Sequence, residues 1–175
     1  MSIASDVERM MLDLINAERA AHGAGPLVLE RDLNEAAETH SEWMIATDTF
    51  SHTGAGRSSA GDRMEAAGFE FSGSWGWAEN IAWQSERGDP GIADDVEDLH
   101  AALMNSSGHR ANILDDGFDY VGIGVHVGEY NGYDGVFVTQ NFARTNAPVT
   151  LDEGTQDDPP PPEPSTPEPE LQAVL

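Results

Sequence analysis

Three titratable side chains stand in settings where they could do chemistry. His109 lies in Met104-Asn-Ser-Ser-Gly-His-Arg-Ala-Asn-Ile-Leu114, which follows an apolar-periodic helix and precedes a Val/Gly-rich strand. Side chains at such a helix-to-strand junction can face a cleft. An imidazole there serves as ligand, acid–base group or donor near neutral pH, and Gly108 permits a sharp turn beside it. Glu79 sits in Trp75-Gly-Trp-Ala-Glu-Asn-Ile-Ala-Trp83. If this segment is extended, Glu79 shares a face with three tryptophans and Ile81. A carboxylate there is costly unless it is paired, protonated or bound to a cation. The alternative is an irregular segment in which Glu79 accepts backbone hydrogen bonds. His52 follows Phe50-Ser51 at the start of a glycine-containing loop, with Phe50 as a core anchor and His52 directed elsewhere.

The elements that must position these groups follow from the apolar spacing. Ser5 and Glu8 form a capping-box pattern for a first helix with Val7, Met10, Met11, Leu14 and Ala17 on one face, closed at Gly23. A second helix begins near Asp32, with Glu35 completing its cap and Leu33, Ala36, Ala37, His40 and Met44 inward. His40 is read there as a structural histidine bonded to backbone. Ser58 or Ser59 caps a short helix ending at Gly68. Asp89-Pro90 begins the last long helix, whose stripe is Ile92, Val96, Leu99 and Leu103, with His100 at its surface or edge. Val121, Ile123, Val125 and Val127 alternate with glycines as a strand with one heavily packed face. Asn131-Gly132 and Asp134-Gly135 are turn signals, and Val136 to Ala143 pairs back as a hairpin.

Composition bounds the rest. The 175 residues contain 39% hydrophobic side chains, enough for one core, and no apolar run long enough to span a bilayer. The first residues show neither a basic nor an apolar leader region, so no secretory signal is visible and the compartment is left open. With no cysteine, disulfides, zinc–cysteine sites and thiol catalysis are excluded. Acids number 32 against 8 basic residues, all of them arginine, for a formal charge of −24. Such a field repels nucleic acid and anionic lipid. Dense carboxylates without lysine point to a protein from a halophilic source, adapted to molar salt, where repulsion is screened to about 3 Å; the alternative is an ordinary acidic protein. The domain is placed at residues 1–148. Residues 149–175, acidic and rich in proline, are expected to form a disordered tail that buries nothing, above all from Asp152 onward.

Taken in order, Phe50-Ser-His52, Ala78-Glu-Asn-Ile81 and Asn105-Ser-Ser-Gly-His-Arg-Ala-Asn-Ile-Leu114 resemble the bacterial and archaeal branch of the CAP superfamily. That superfamily, also called the SCP-like domain, includes cysteine-rich secretory, antigen 5 and pathogenesis-related proteins. Leu14-Ile-Asn-Ala-Glu-Arg19, Gly61-Asp-Arg63 and Thr139-Gln-Asn-Phe-Ala143 agree with it. The resemblance implies an α+β fold: a three-layer α-β-α sandwich around a small, largely antiparallel sheet. It also implies a cleft in which His52, Glu79 and His109 hold zinc or another divalent cation. Two departures are visible. Met104-Asn105-Ser106 carries no carboxylate where many relatives have a second glutamate, and Leu103 stands where tryptophan is common. Three ligands plus water would still suit zinc. Arg110, beside His109, opposes a cation unless an acid pairs with it.

The function the resemblance implies is a non-catalytic extracellular or cell-surface binding module, its partner a small ligand, a lipid or a surface component. The alternative is a metal-dependent, protease-like hydrolase using the same cleft, with Glu79 as base. A serine-based version through Ser106 or Ser107 lacks a nucleophile-elbow pattern. In a third reading the histidines and Glu79 are structural only. The charge makes its own prediction: the thermal midpoint should climb steeply from dilute buffer toward molar KCl as self-repulsion is screened. A flat or falling midpoint across that range would remove the adaptation to salt.

Overall fold

In the computed structural model, which describes residues 2–88 and 90–154, a mixed sheet lies between two layers of helix. The elements in chain order are α1 (Asp6–Ala21), β1 (Val28–Leu29), α2 (Arg31–Ala46), a 3-10 turn (Ala55–Arg57), α3 (Ala60–Ala67), β2 (Gly76–Ser85), α4 (Ala93–Asn105), α5 (Ser107–Leu114), β3 (Tyr120–Tyr130) and β4 (Tyr133–Arg144). The strand order is β1-β3-β4-β2. Only the short β1–β3 pair is parallel; β3–β4 and β2–β4 are antiparallel. This is the expected α+β sandwich.

Alternation along the strands separates the two faces. Val121 and Ile123 of β3 and Val136, Val138 and Phe142 of β4 join Met11, Ile15, Val96, Leu99, Leu103 and Ile113 in one core between the sheet and α1, α4 and α5. The opposite face carries Gly122 and Gly124. A Cβ on Gly122 would lie 2.0 Å from the carbonyl carbon of Leu33, and one on Gly124 2.3 Å from that of Ala37. These glycines are required by close approach, because the backbone of α2 rests directly on β3. Both faces of β3 are therefore packed, one by side chains and the other by a helix backbone. The β3–β4 connection is a two-residue turn with positive φ at Asn131 and Gly132, as a primed hairpin turn requires.

Several local expectations are revised. Glu30, not Asp32, caps α2: its carboxylate accepts from the amides of Asp32 at 3.0 Å and Leu33 at 2.9 Å. Helix α4 starts after Ile92, because Gly91 at φ +106° cannot continue a helix from Pro90; Asp89 lies outside the described residues. Asp134-Gly135 is inside β4, not a turn. Phe50 is 40% exposed and meets Phe137 only edge-on. His100 is buried, with neither ring nitrogen hydrogen-bonded. The junction after α4 leads to a second helix, α5, and the break falls at extended Ser106, so Gly108 is helical.

The packed chain also runs past residue 148. Leu151 bridges to Glu30. The buried Asp152 carboxylate accepts from the Ala4 amide at 2.7 Å, Arg9 at 2.8 Å and Asn34 Nδ2 at 3.1 Å. Burial pushes its carboxyl up, but hydrogen bonds from Ala4, Arg9 and Gly154 outweigh this and hold it below the usual range. The domain therefore extends at least to Asp152; the expected disorder of the remaining tail concerns residues 155–175, outside the described ones.

Gly124→Ala should destabilise the fold by about 1–3 kcal/mol or more, because α2 must lift off the sheet. Gly108→Ala, whose Cβ enters open space, should change stability by about 1 kcal/mol or less, in the stabilising direction. Chemical denaturation of the two variants checks both, and equal effects would contradict this account of the sheet.

Candidate functional site

Strand β2 places Glu79 on the α2 side of the sheet, in register with Asn141 of β4. The segment is extended, and its odd positions share a face as the spacing implies: Ile81 is in register with Thr139, and Trp83 stacks on Phe137. The Glu79 carboxylate is almost wholly buried and is paired. Oε1 accepts from Nδ1 of His52 at 2.8 Å, and Oε2 accepts from Nη2 of Arg63 at 2.5 Å. With the Asn141 amide oriented by its neighbours, its nitrogen adds a third bond to Oε2 at 3.2 Å. This resolves the cost of a carboxylate on an apolar face: a cation, an imidazole and an amide surround it.

Each partner is held by the local chain. Arg63, on α3, uses Nη1 to bind the carbonyls of His52 at 3.1 Å and Ser58 at 3.0 Å, so one guanidinium fixes both the loop and the carboxylate. Helix α3 is capped by Ser59, which exchanges hydrogen bonds with Asp62. His52 donates through Nδ1, which leaves the lone pair of Nε2 for another partner; its side chain is 57% exposed. Below it, buried His40 bonds the Ser51 carbonyl through Nε2 at 3.0 Å and stacks on Trp43. The backbone-bonded role expected for His40 is thus what the structure shows. Burial drives its pKa down to about 4, only partly offset by nearby Glu79, and it is neutral at neutral pH.

His109 arrives from the other side of β2. Asn80, whose side chain points opposite to that of Glu79, donates to the His109 carbonyl at 3.1 Å and to Gln140 at 3.0 Å, and accepts from Asn112 at 2.8 Å. These bonds fasten α5 to the sheet. His109 is partly buried, and burial first and His52 second lower its pKa, so the two imidazoles are near enough to feel one another. A cleft of about 210 Å³ opens over His52, Thr53, Ser59, Ala60, Trp77 and Glu79.

Of the three residues expected in the cleft, the structure joins His52 to Glu79 directly and brings His109 within electrostatic reach. Among the described residues no group of three or more His, Cys, Asp or Glu side chains is arranged to hold a metal ion. Both oxygens of Glu79 are committed to hydrogen bonds. Arg110 binds the Met104 carbonyl at 3.3 Å, and the guanidinium beside the carboxylate is that of Arg63. Arg63 and Asn80, which the sequence does not single out as site residues, both lie in segments that carry the family resemblance. The requirement that buried Glu79 be paired was the signal pointing to an arginine.

A profile of the CAP family, described as the cysteine-rich secretory protein family, matches residues 12–142. The uncharacterized protein YkwD of Bacillus subtilis (strain 168) is 32% identical over 123 residues, covering 70% of this chain and 44% of that protein. An extracellular protein of Bacillus anthracis containing an SCP domain superposes with TM-score 0.58 at 30% identity, covering 79% of this chain and 40% of that one. NaASP2, solved with Zn2+, superposes with TM-score 0.56 at 14% identity, covering 79% of this chain and 80% of that one; it shows the shared fold. The chain spans less than half the length of these two Bacillus relatives.

The depressed His40 pKa has a signed consequence. The folded value lies below the unfolded one of about 6.5, so this contribution is full above that pH and is lost as pH falls toward about 4. The loss is on the order of 3 kcal/mol. His40→Gln should flatten that limb of the stability curve, whatever it does to stability at neutral pH. An unchanged slope between these pH values would show that His40 is not the buried neutral group.

Proposed function

The chain belongs to the CAP family of cysteine-rich secretory proteins, and on that premise we propose that it is a non-catalytic binding module. It acts outside the cell or on its surface, with the His52–His109 cleft holding a divalent cation or small ligand. The observation carrying this reading is the Glu79–His52 hydrogen bond. It fixes the imidazole with Nδ1 on the carboxylate and Nε2 free, the arrangement by which an outer carboxylate orients a metal-ligating histidine. The depressed pKa of His109 keeps a second imidazole neutral, as ligation requires.

The residues that would hold a cation in this reading are His52 and His109, with Glu79 behind His52 as its orienting base. A bound zinc ion would supply Lewis acidity there, the chemistry of the metal-dependent hydrolase alternative. The same carboxylate–imidazole pair is the observation that favours that second reading. Support for the extracellular setting comes from the Bacillus anthracis relative, described as extracellular. No helix among the described residues is long and apolar enough to cross a membrane. The charge of −24 without lysine supports a working environment of molar salt.

Calorimetric zinc titration in high salt tests the site. Wild type should bind near one equivalent at about pH 7.5 and much more weakly at about pH 5.5, below the unperturbed histidine value of about 6.5. His52→Ala and His109→Ala should each abolish saturable binding. Glu79→Gln should weaken it about 10- to 100-fold as an orienting residue does, and His22→Ala and His126→Ala should match wild type. Absence of saturable binding in wild type, or wild-type binding by both cleft variants, returns the histidines to a structural role. Turnover of ester or peptide substrates that chelator abolishes would establish the hydrolase instead.

A further inference from the structure

Beside the imidazole cleft, on the outer side of Trp77, lies a second depression of about 130 Å³ lined by Ser59, Asp62, Glu65, Phe71, Trp75 and Trp77. Its aromatic wall is unusually open for side chains of this size, with Trp75 53% and Trp77 40% exposed. Both indoles are held in place. Trp75 packs at 5.3 Å and 47° against Phe71, which stands edge-on to the buried Phe69 at 5.1 Å. Trp77 lies against α3 at Gly61, where an added Cβ would come within 2.7 Å of its Nε1. A glycine is kept where the indole edge must approach the helix.

The polar side of the depression is negative. Asp62 and Glu65 project from successive turns of α3, and no lysine or arginine is among the lining residues. Hydrogen bonds from the Ser59 backbone and hydroxyl hold the Asp62 carboxyl below its usual range, so it stays charged at mild acidity. The tilted Phe71 and Trp75 rings beside Trp77, with carboxylates at the rim, form the chemistry that recognises an alkylated ammonium ion: the rings attract the cation and its methyl groups, and the acids supply the local charge. The volume is below that of a drug-sized site, about 300 Å³ or more, and suits a group of a few heavy atoms.

We propose that the Phe71–Trp75–Trp77 depression, with Glu65 and Asp62 at its rim, is a binding site for a small free quaternary ammonium ion. Charge complementarity selects the occupant. At molar salt only contacts act, and the adjacent Asp62 and Glu65 carboxylates favour a lone cation and disfavour a choline headgroup, whose phosphate would lie against them. The site adjoins the His52 cleft, Ser59 and Trp77 lining both, and does not depend on a metal there.

The test uses the full chain at fixed molar KCl, with tetramethylammonium as the probe and tryptophan fluorescence and indole NMR shifts as readouts. Saturable shifts of the Trp75 and Trp77 signals are expected. Trp75→Ala should weaken binding at least about fivefold and Glu65→Gln about two- to fivefold, in line with a partly exposed cation–π contact. His52→Ala should bind as wild type does, which separates this result from the outcome of the zinc titration. A neutral isostere, 3,3-dimethylbutan-1-ol, should bind at least about fivefold more weakly than choline. Equal binding of the isostere would overturn the proposal in favour of a merely apolar pocket. It would equally be overturned by shifts with phosphocholine vesicles or soluble oligosaccharides but not with the free ion, or by unchanged affinity in both Trp75→Ala and Glu65→Gln.

Discussion

The seating of α2 directly on β3 is the constraint from which the rest follows. Glycine at 122 and 124 lets the helix backbone approach the sheet within what a methyl group would occupy. At that distance the polar groups of both elements are sealed from water and must satisfy one another. Ser41 bonds the Gly124 carbonyl and Thr139 across the interface. Asn34 accepts from the Ile123 amide and donates to Asp152, tying helix, central strand and the last packed residues together. The same close layer sets the floor of the imidazole cleft, because His40 and Asn141 lie at this interface with Glu79 between them and Arg63.

Positioning of His52 and His109 is divided between the faces of one strand. Glu79 faces α2 and α3 and orients His52; its neighbour Asn80 faces α5 and holds the backbone of His109. Because side chains alternate on a strand, one dipeptide addresses both histidines, which lie 57 residues apart in sequence. A second long-range tie, Arg19, is fully buried at the end of α1. It donates to the carbonyls of Gly25, Ile113, Asp115 and Phe118, so the end of α5 is fixed to α1 as well. Burial lowers its pKa, and Asp116, Asp115 and Asp119 oppose the shift.

What was legible in the sequence was what depends on neighbours in sequence. The capping box at Ser5 and Glu8, a serine cap at Ser58 or Ser59 (it is Ser59) and the Asn131-Gly132 turn rest on local rules and are present. The sequence leaves open whether Trp75–Trp83 is extended or irregular, and the strand Gly76–Ser85 decides it. What was not legible depends on contacts across the fold. Glu30 caps α2 while also receiving the amide of Thr150, a partner distant in sequence. His100 is buried because α1 covers α4, which the stripe of α4 alone does not reveal. The alternating glycines of β3 marked one packed face correctly, but their own face gave no apolar signal, since its partner is helix backbone. The pairing of Glu79 was open for the same reason: Arg63 comes from another helix.

The shortage of cations explains how this protein handles its buried acids. With eight arginines for 32 carboxylates, few inward-facing acids can have a cation, and a buried carboxylate left unpaired would be costly. Backbone amides take that role. Glu30 accepts from Asp32, Leu33 and Thr150; Glu8 from Ser5 and, through its other oxygen, from Val125; Asp152 accepts from Ala4 and Gly154 beside its pair with Arg9. Such bonds lie inside the protein, where salt screens little, whereas exposed pairs such as Arg87–Asp98 lose most of their value at high ionic strength. The arginines that are buried do structural work that an amide cannot, each joining several segments at once, as Arg19 and Arg63 do. A chain built this way can raise its surface acidity at little cost to its interior, because amides hold Glu8 and Glu30 while Arg9 and Arg63 are kept for Asp152 and Glu79.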